Sequence, residues 1–393
     1  MNVSTQAAPR RPRRSRKRTL GLVCVIAIAA AAISPFALAV LAEGYARINC
    51  LPAIGSVLER DPYKTLILTD SPRGITPPTT LSTNRWGMRG DEPPRDWYRW
   101  DTFIAVGSST TLCYSLDDHK TWPYLIQQRL QAARKLQGRS PRPVWVGNAG
   151  QDGVTTVSSA LLMDVVIRRL HPTVVLLMVG ASDAALSFSD ERREGGSPYD
   201  RAFEKRIARE MDKTSLKERS RLFREYNLWK RRNAHDVTTL AKAAHASRFP
   251  VPLSAPEEAV PIDSLLLGPE AGFAANILRI HELAGDMGTR DIFLTQPCLF
   301  GNDSSWAARE SRSVQFHGRD YTISAATDRR ILDRFNARLL KLCGAHHLEC
   351  FDLAPLVPND SLNFYDEAHF TEAGAAQVAD AVSGYLLSHP NVP

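Results

Sequence analysis

Between residues 101 and 390, short apolar runs alternate with longer stretches whose apolar positions recur with helical period. TFIAVG at 102–107, PVWVGNAG at 143–150, TVVLLMVG at 173–180, DIFLTQP at 291–297 and LECFDL at 348–353 read as strands, most of them closed by a Gly- or Pro-bearing turn. The run at 173–180 is apolar at consecutive positions, as expected of a parallel strand covered on both faces. Helices are predicted at 121–136, with Trp122, Leu125, Ile126 and Leu130 on one face, at 156–170 until His171-Pro172 stops it, and at 271–285, 328–344 and 371–387. Strand and helix in strict alternation predict a doubly wound α/β domain with a parallel central sheet.

Two segments depart from this rhythm. Residues 43–100 are rich in Pro, Thr, Arg and Trp without sustained periodicity and read as a stalk packing irregularly onto the next domain. Residues 187–264 are densely charged with mixed signs, which predicts a helical insertion with a solvated face; a lid or a partner-docking arm is the functional alternative. Trp86, Trp97 and Trp100 are read as packing residues of the stalk, with a sugar-stacking platform as the alternative.

Charge changes the picture at the N-terminus. Seven of the 49 basic residues lie in positions 1–18, which hold no acid; without them the chain carries 42 basic and 42 acidic residues. The net charge of +7 is therefore a local tail, and a nucleic-acid partner is not expected. Residues 20–42, LGLVCVIAIAAAAISPFALAVLA, are 23 positions without a charge. At 1.5 Å per residue they suffice to span about 30 Å of hydrocarbon, and the preceding cations predict an inside N-terminus. The expectation is a basic cytoplasmic tail (1–18), a single transmembrane helix (19–42), the stalk, and a periplasmic or otherwise extracytoplasmic domain (101–390) held at the cytoplasmic membrane. A cleaved signal peptide ending near Ala37-Leu38-Ala39 is the competing reading. Of six cysteines, Cys24 lies in the apolar stretch, and the other five would meet an oxidising compartment with connectivity left open.

The candidate chemistry lies at predicted strand ends. Gly107-Ser108-Ser109-Thr110-Thr111 follows the first strand, and a serine on such a turn presents both its hydroxyl and its amide N–H. Asp366-Glu367-Ala368-His369 precedes the last helix, where a carboxylate three positions before an imidazole can hold one tautomer. His346-His347 lacks companion ligands, so no metal is expected, and the proposed chemistry needs no cofactor.

AVGSSTTLCYSLDDHKTWPYLIQQRL, the NAGQDG turn, the VGASD turn and DEAHFTEAG stand in the order found in the SGNH or GDSL hydrolase family, which this chain resembles from about residue 85 to 387. The resemblance implies a flavodoxin-like three-layer α/β/α fold and an ester hydrolase or O-acyltransferase. It makes Ser109 the nucleophile, His369 the general base and Asp366 its orienting partner. Ser109, Gly153 and Ser182 then form the oxyanion hole. NRWGMR at 84–89 and TQP at 295–297 also resemble segments of membrane-anchored bacterial relatives. Two positions depart from the family pattern: Ser108 replaces an Asp that does not react, and Ser182 replaces an Asn whose amide donates to the oxyanion. An oxyanion donor is worth about 2.7–4 kcal/mol of barrier, so this second change bears on rate. The expected substrate is an acylated glycan or lipid of the cell envelope. Acyl transfer to a polysaccharide and a catalytically weak glycan-binding protein are the alternatives.

Overall fold

The computed structural model describes residues 25, 34–48, 50–51, 58, 60–136, 142–187, 198–213, 215–240, 262–299, 311–316 and 319–390. Most of the apolar segment at 20–42 lies outside the described residues. Residues 34–48 are helical, and among the described residues no helix is long and apolar enough to cross a membrane.

Five parallel strands form the central sheet: β3 (Asp101–Gly107), β4 (Val144–Asn148), β5 (Val174–Met178), β7 (Arg290–Leu294) and β10 (Cys350–Phe351). Their spatial order is β10-β7-β5-β3-β4. The chain therefore leaves β3 toward one edge to make β4, then returns past β3 to make β5 and builds outward on the other side. That reversal opens a crevice beyond the carboxyl ends of β3 and β5, where open α/β sheets bind ligands.

Successive strand residues point to opposite faces, and the two cores divide them accordingly. Ile104, Val106, Val175, Leu177 and Phe293 pack on one face with α3 (Thr156–Val165), α7 (Ile262–Met287) and α8 (Ala325–His346). Phe103, Ala105, Val174, Leu176, Met178, Ile292 and Leu294 pack on the other with α2 (Trp122–Leu136) and α9 (Glu372–Ser388). The three-layer arrangement is thus written in a period-2 alternation hidden inside runs that read as uniformly apolar. α9 is capped by Thr371, whose side chain accepts the Gly374 N–H, and faces the sheet with Ala375, Val378, Ala379, Val382 and Leu386.

Residues 43–100 are more regular than a stalk. β1 (Lys64–Leu68) pairs antiparallel with β2 (Thr79–Ser82), and β1 also pairs parallel with β6 (Asp236–Leu240) from the charged segment. The insertion is accordingly not purely helical. Non-local pairing decides this, since DVTTL carries no local signal strong enough to mark a strand joined across about 170 positions. Leu68 and Leu81 of this small sheet pack on Leu112 and Tyr114, behind the serine turn. A second unpredicted feature is the hairpin β8 (Ser311–Phe316) and β9 (Arg319–Ser324), which runs directly into α8. Trp86 and Trp97 of this segment form an edge-to-face cluster with Trp145 of β4, centroids 5.1–5.9 Å apart, and Trp100 packs against the same core, which makes these tryptophans packing residues. Cys343 at the end of α8 is joined by a disulfide to Cys350 on the edge strand.

Candidate functional site

β3 ends at Gly107, and the chain turns through Ser108 into the four-residue helix α1 (Ser109–Leu112). Ser109 occupies the first helical position, where a backbone N–H has no intrahelical acceptor. The turn is held from several sides. Thr110 donates its hydroxyl to Gln296 Oε1 at 2.9 Å, and Trp122 Nε1–H donates to the Thr110 carbonyl at 3.1 Å. Gln296, the middle residue of TQP, is fixed in turn by a reciprocal pair of bonds with Asn336 of α8. Asn148 at the end of β4 donates to the Thr111 carbonyl at 2.8 Å. Gly150 must lack a side chain here, because a Cβ would stand 2.3 Å from the Leu112 nitrogen.

The segment NRWGMR at 84–89 supplies Arg89, which is 3% exposed. Its guanidinium pairs with Asp118 at 2.7 Å and donates to the carbonyls of Leu112, Cys113, Leu116 and Thr80. These include carbonyls at the end of α1, so one buried cation saturates the helix that begins with Ser109.

His369 lies on the loop before α9, 260 positions from Ser109, and its Nε2 stands 2.8 Å from Ser109 Oγ. Its Nδ1 is 2.8 Å and 2.9 Å from the two carboxylate oxygens of Asp366. Asp366 also accepts the backbone N–H groups of Ala368 (3.1 Å) and His369 (2.8 Å), which fixes carboxylate and imidazole as one turn. Tyr365 lies nearly parallel to the His369 ring with centroids 5.6 Å apart, limiting the imidazole's rotation. Burial alone would lower the His369 pKa. The Asp366 charge and hydrogen bond, aided by Glu367 and Asp152, outweigh it and raise the value to about 9. Burial alone would raise the Asp366 pKa, but the charge and hydrogen bonds of His369 and the Ala368 amide hold it below the usual carboxylate value. The hydroxyl, imidazole and carboxylate anticipated from sequence are therefore brought together in hydrogen-bonding succession.

Gly153 and Ser182 follow the carboxyl ends of β4 and β5, the two strands flanking β3. Gly153 has φ of +64°, and a Cβ there would come within 2.6 Å of the Tyr199 ring. Ser182 is the second residue of α4 (Ala181–Ala185) and is partly exposed.

Sequence reasoning missed the carboxylates behind these turns. Asp183, 1% exposed, accepts the Thr156 N–H at 3.1 Å and its hydroxyl at 2.8 Å. Asp200, fully buried on α5 (Pro198–Met211), accepts the Thr155 N–H at 3.0 Å, the Thr155 hydroxyl at 2.7 Å and the Ser158 hydroxyl at 2.5 Å. The N-terminus of α3, whose cap Thr155 stands two residues past Gly153, is clamped by one carboxylate from the Ser182 turn and one from the insertion. Phe203 and Ile207 of α5 are also buried in the main core. This part of the insertion is a wall of the site and not a solvated appendage. The only sequence signal was the pair Phe203 and Ile207, four positions apart within a charged run. Among the described residues no group of His, Cys, Asp and Glu is arranged to hold a metal ion.

The chain matches no family model and no curated protein. Solved structures to which it is similar include a variant of an acetyl xylan esterase from Geobacillus stearothermophilus (13% identity, 73% of this chain and 93% of that one, TM-score 0.40). A GDSL-like lipase from Bacteroides thetaiotaomicron aligns at 14% identity over 74% of this chain and 89% of that one, with a TM-score of 0.36. A member of the lipolytic protein G-D-S-L family from Veillonella parvula aligns at 11% identity over 73% and 98%, with a TM-score of 0.38.

Proposed function

We propose that this protein is a serine esterase of the SGNH type, acting through an acyl-enzyme on Ser109. The observation that carries the reading is the unbroken succession Ser109 Oγ, His369 Nε2, His369 Nδ1, Asp366 carboxylate at 2.8–2.9 Å per step, at the crevice where the strand order reverses. Ser109 Oγ attacks the ester carbonyl while neutral His369 takes its proton at Nε2. The oxyanion that forms is met by the Ser109 N–H, the Gly153 N–H and Ser182. Collapse expels the alcohol, which receives the proton from His369. Water, or a sugar hydroxyl in the transferase alternative, then gives His369 a proton and attacks the acyl group; the second collapse breaks the bond to Ser109 Oγ, releases the acid or the new ester, and returns the proton from His369 to Ser109.

An ester on an envelope or exported glycan is the substrate class we favour, with the domain held outside the cytoplasmic membrane by residues 19–42. The uncharged stretch at 20–42 behind a basic tail supports the anchor. So do Phe36, Leu38, Val40, Leu41, Tyr45 and Ile48, which the 34–48 helix leaves exposed. The Cys343–Cys350 disulfide supports an oxidising compartment. The deciding experiment is labelling by a fluorophosphonate together with 4-nitrophenyl acetate turnover. Wild type is expected to be labelled and active, and Ser109→Ala to lose both. A fully active Ser109→Ala protein would reject the assignment. Acceptor-dependent product formation separates transfer from hydrolysis.

A further inference from the structure

Helix α6 (Arg221–Ala234), also within the insertion, buries none of its residues. Leu222, Tyr226 and Trp229 are 41%, 55% and 61% exposed and stand at i, i+4 and i+7, so they form a single stripe. Tyr226 and Trp229 stack on each other with centroids 6.0 Å apart, at the cost of leaving both rings in water. The helix carries Arg221, Arg224, Lys230, Arg231 and Arg232 against the single acid Glu225. Arg221, Arg224 and Arg231 are engaged in ion pairs with Glu225, Glu210 and Asp61, while Lys230 and Arg232 stand exposed in the last turns, Arg232 near enough to Glu92 and Tyr63 for its charge to act on both.

What covers this stripe is indicated by what holds the other end of the helix. Glu43 accepts the N–H groups of Arg221 and Leu222 and the Ser220 hydroxyl, each at 2.8 Å, and pairs with Arg47 at 2.7 Å. Burial alone would raise its pKa, but these four bonds together outweigh it and hold the value at about 2, so the carboxylate stays charged. Glu43 is the first charged residue after the apolar stretch at 20–42. The N-terminus of α6 is thus fastened to the position where the chain would leave the hydrocarbon, and Leu222, the first residue of the stripe, is bonded through its N–H to the helix that leaves Leu41, Tyr45 and Ile48 exposed.

We propose that α6 lies in the membrane–water interface, with Leu222, Tyr226 and Trp229 at the boundary of headgroups and acyl chains and Lys230 and Arg232 on anionic phospholipid headgroups. The proposal rests on the membrane-anchor reading above. Amphipathic aromatic rings prefer that depth, and cations beside them bind the negative surface. Such an attachment at a second point orients the domain, because α5 of the same insertion forms a wall of the site.

The test uses the full chain in vesicles of zwitterionic lipid, with and without an anionic phospholipid, containing lipid brominated high on the acyl chain. Since the chain has seven tryptophans, quenching is compared between wild type and Trp229→Phe. The expected result is a quenchable component in wild type that disappears in Trp229→Phe. It should fall about twofold or more in Lys230→Glu/Arg232→Glu and without anionic lipid. All variants should retain wild-type turnover of 4-nitrophenyl acetate, since none of these residues touches the triad. Protein that floats with the vesicles but shows equal quenching in wild type and Trp229→Phe overturns the interfacial helix while leaving the anchor standing. So does a stripe protected by a second copy of the chain. Protein that does not float overturns both, with the esterase reading still judged separately by turnover.

Discussion

Replacing Asp366 by Asn removes the charge that holds His369 at a pKa of about 9 and leaves the burial that lowers it. The rise from 6.5 to about 9 amounts to about 3 kcal/mol of preference for the imidazolium, the species formed as Ser109 loses its proton. Losing that preference is expected to lower kcat/KM by on the order of 10²–10³ once the base is neutral in both proteins. The deficit should depend on pH in a particular way. In wild type only about 1% of His369 is neutral at pH 7, so kcat/KM climbs about tenfold per pH unit and levels near pH 9. In Asp366→Asn the base is neutral at lower pH, the plateau begins earlier, and the two curves converge to within about tenfold near pH 7. Initial rates on 4-nitrophenyl acetate from about pH 5 to about pH 10.5, corrected for spontaneous hydrolysis, give both limbs. A variant that keeps its midpoint near pH 9 would refute the assignment of Asp366 as the group that raises the His369 pKa. The same pair ties stability to pH. His369, raised in the folded state, contributes fully below about pH 6.5 and loses that contribution as pH rises through about 9. Asp366, lowered in the folded state, contributes above its ordinary value of 3.8 and loses it as pH falls through its lower folded value. The melting temperature of wild type should therefore drop between pH 7 and pH 10 by more than that of Asp366→Asn.

Ser182→Asn is expected to preserve kcat or raise it by up to about 10²-fold, the worth of one oxyanion donor, and a loss beyond about tenfold would show that position 182 does not face the oxyanion. Asp200→Ala strips the acceptor from Thr155 N–H, Thr155 hydroxyl and Ser158 hydroxyl. It should lower kcat by about tenfold or more with a smaller change in KM and cost about 2–4 kcal/mol of stability, and unchanged kcat would remove α5 from the site. Arg89→Met leaves Asp118 and the carbonyls at the end of α1 without their cation, with an expected loss of about 3–5 kcal/mol by urea unfolding. A loss under about 1 kcal/mol would deny Arg89 its structural role.

Much of this protein was written locally. Each of the five central strands was legible as a short apolar run with its terminating turn, and the helices between them as periodic stripes, because the pleat and the helical turn impose their own spacing on any chain that buries one face. Asp366 and His369 could be paired from sequence because three positions on a turn bring them together whatever the rest of the chain does. Their partner could only be guessed, since Ser109 joins them across 260 positions through the order of the strands. The same holds for Arg89 beneath the serine turn, for β6 completing the sheet of β1 and β2, and for Glu43 at the start of α6. It holds most of all for Asp200, Phe203 and Ile207, which looked solvated because a charged run hides two core residues and one buried carboxylate. Periodicity reports which way a side chain faces, and only the packed tertiary structure decides what stands opposite it.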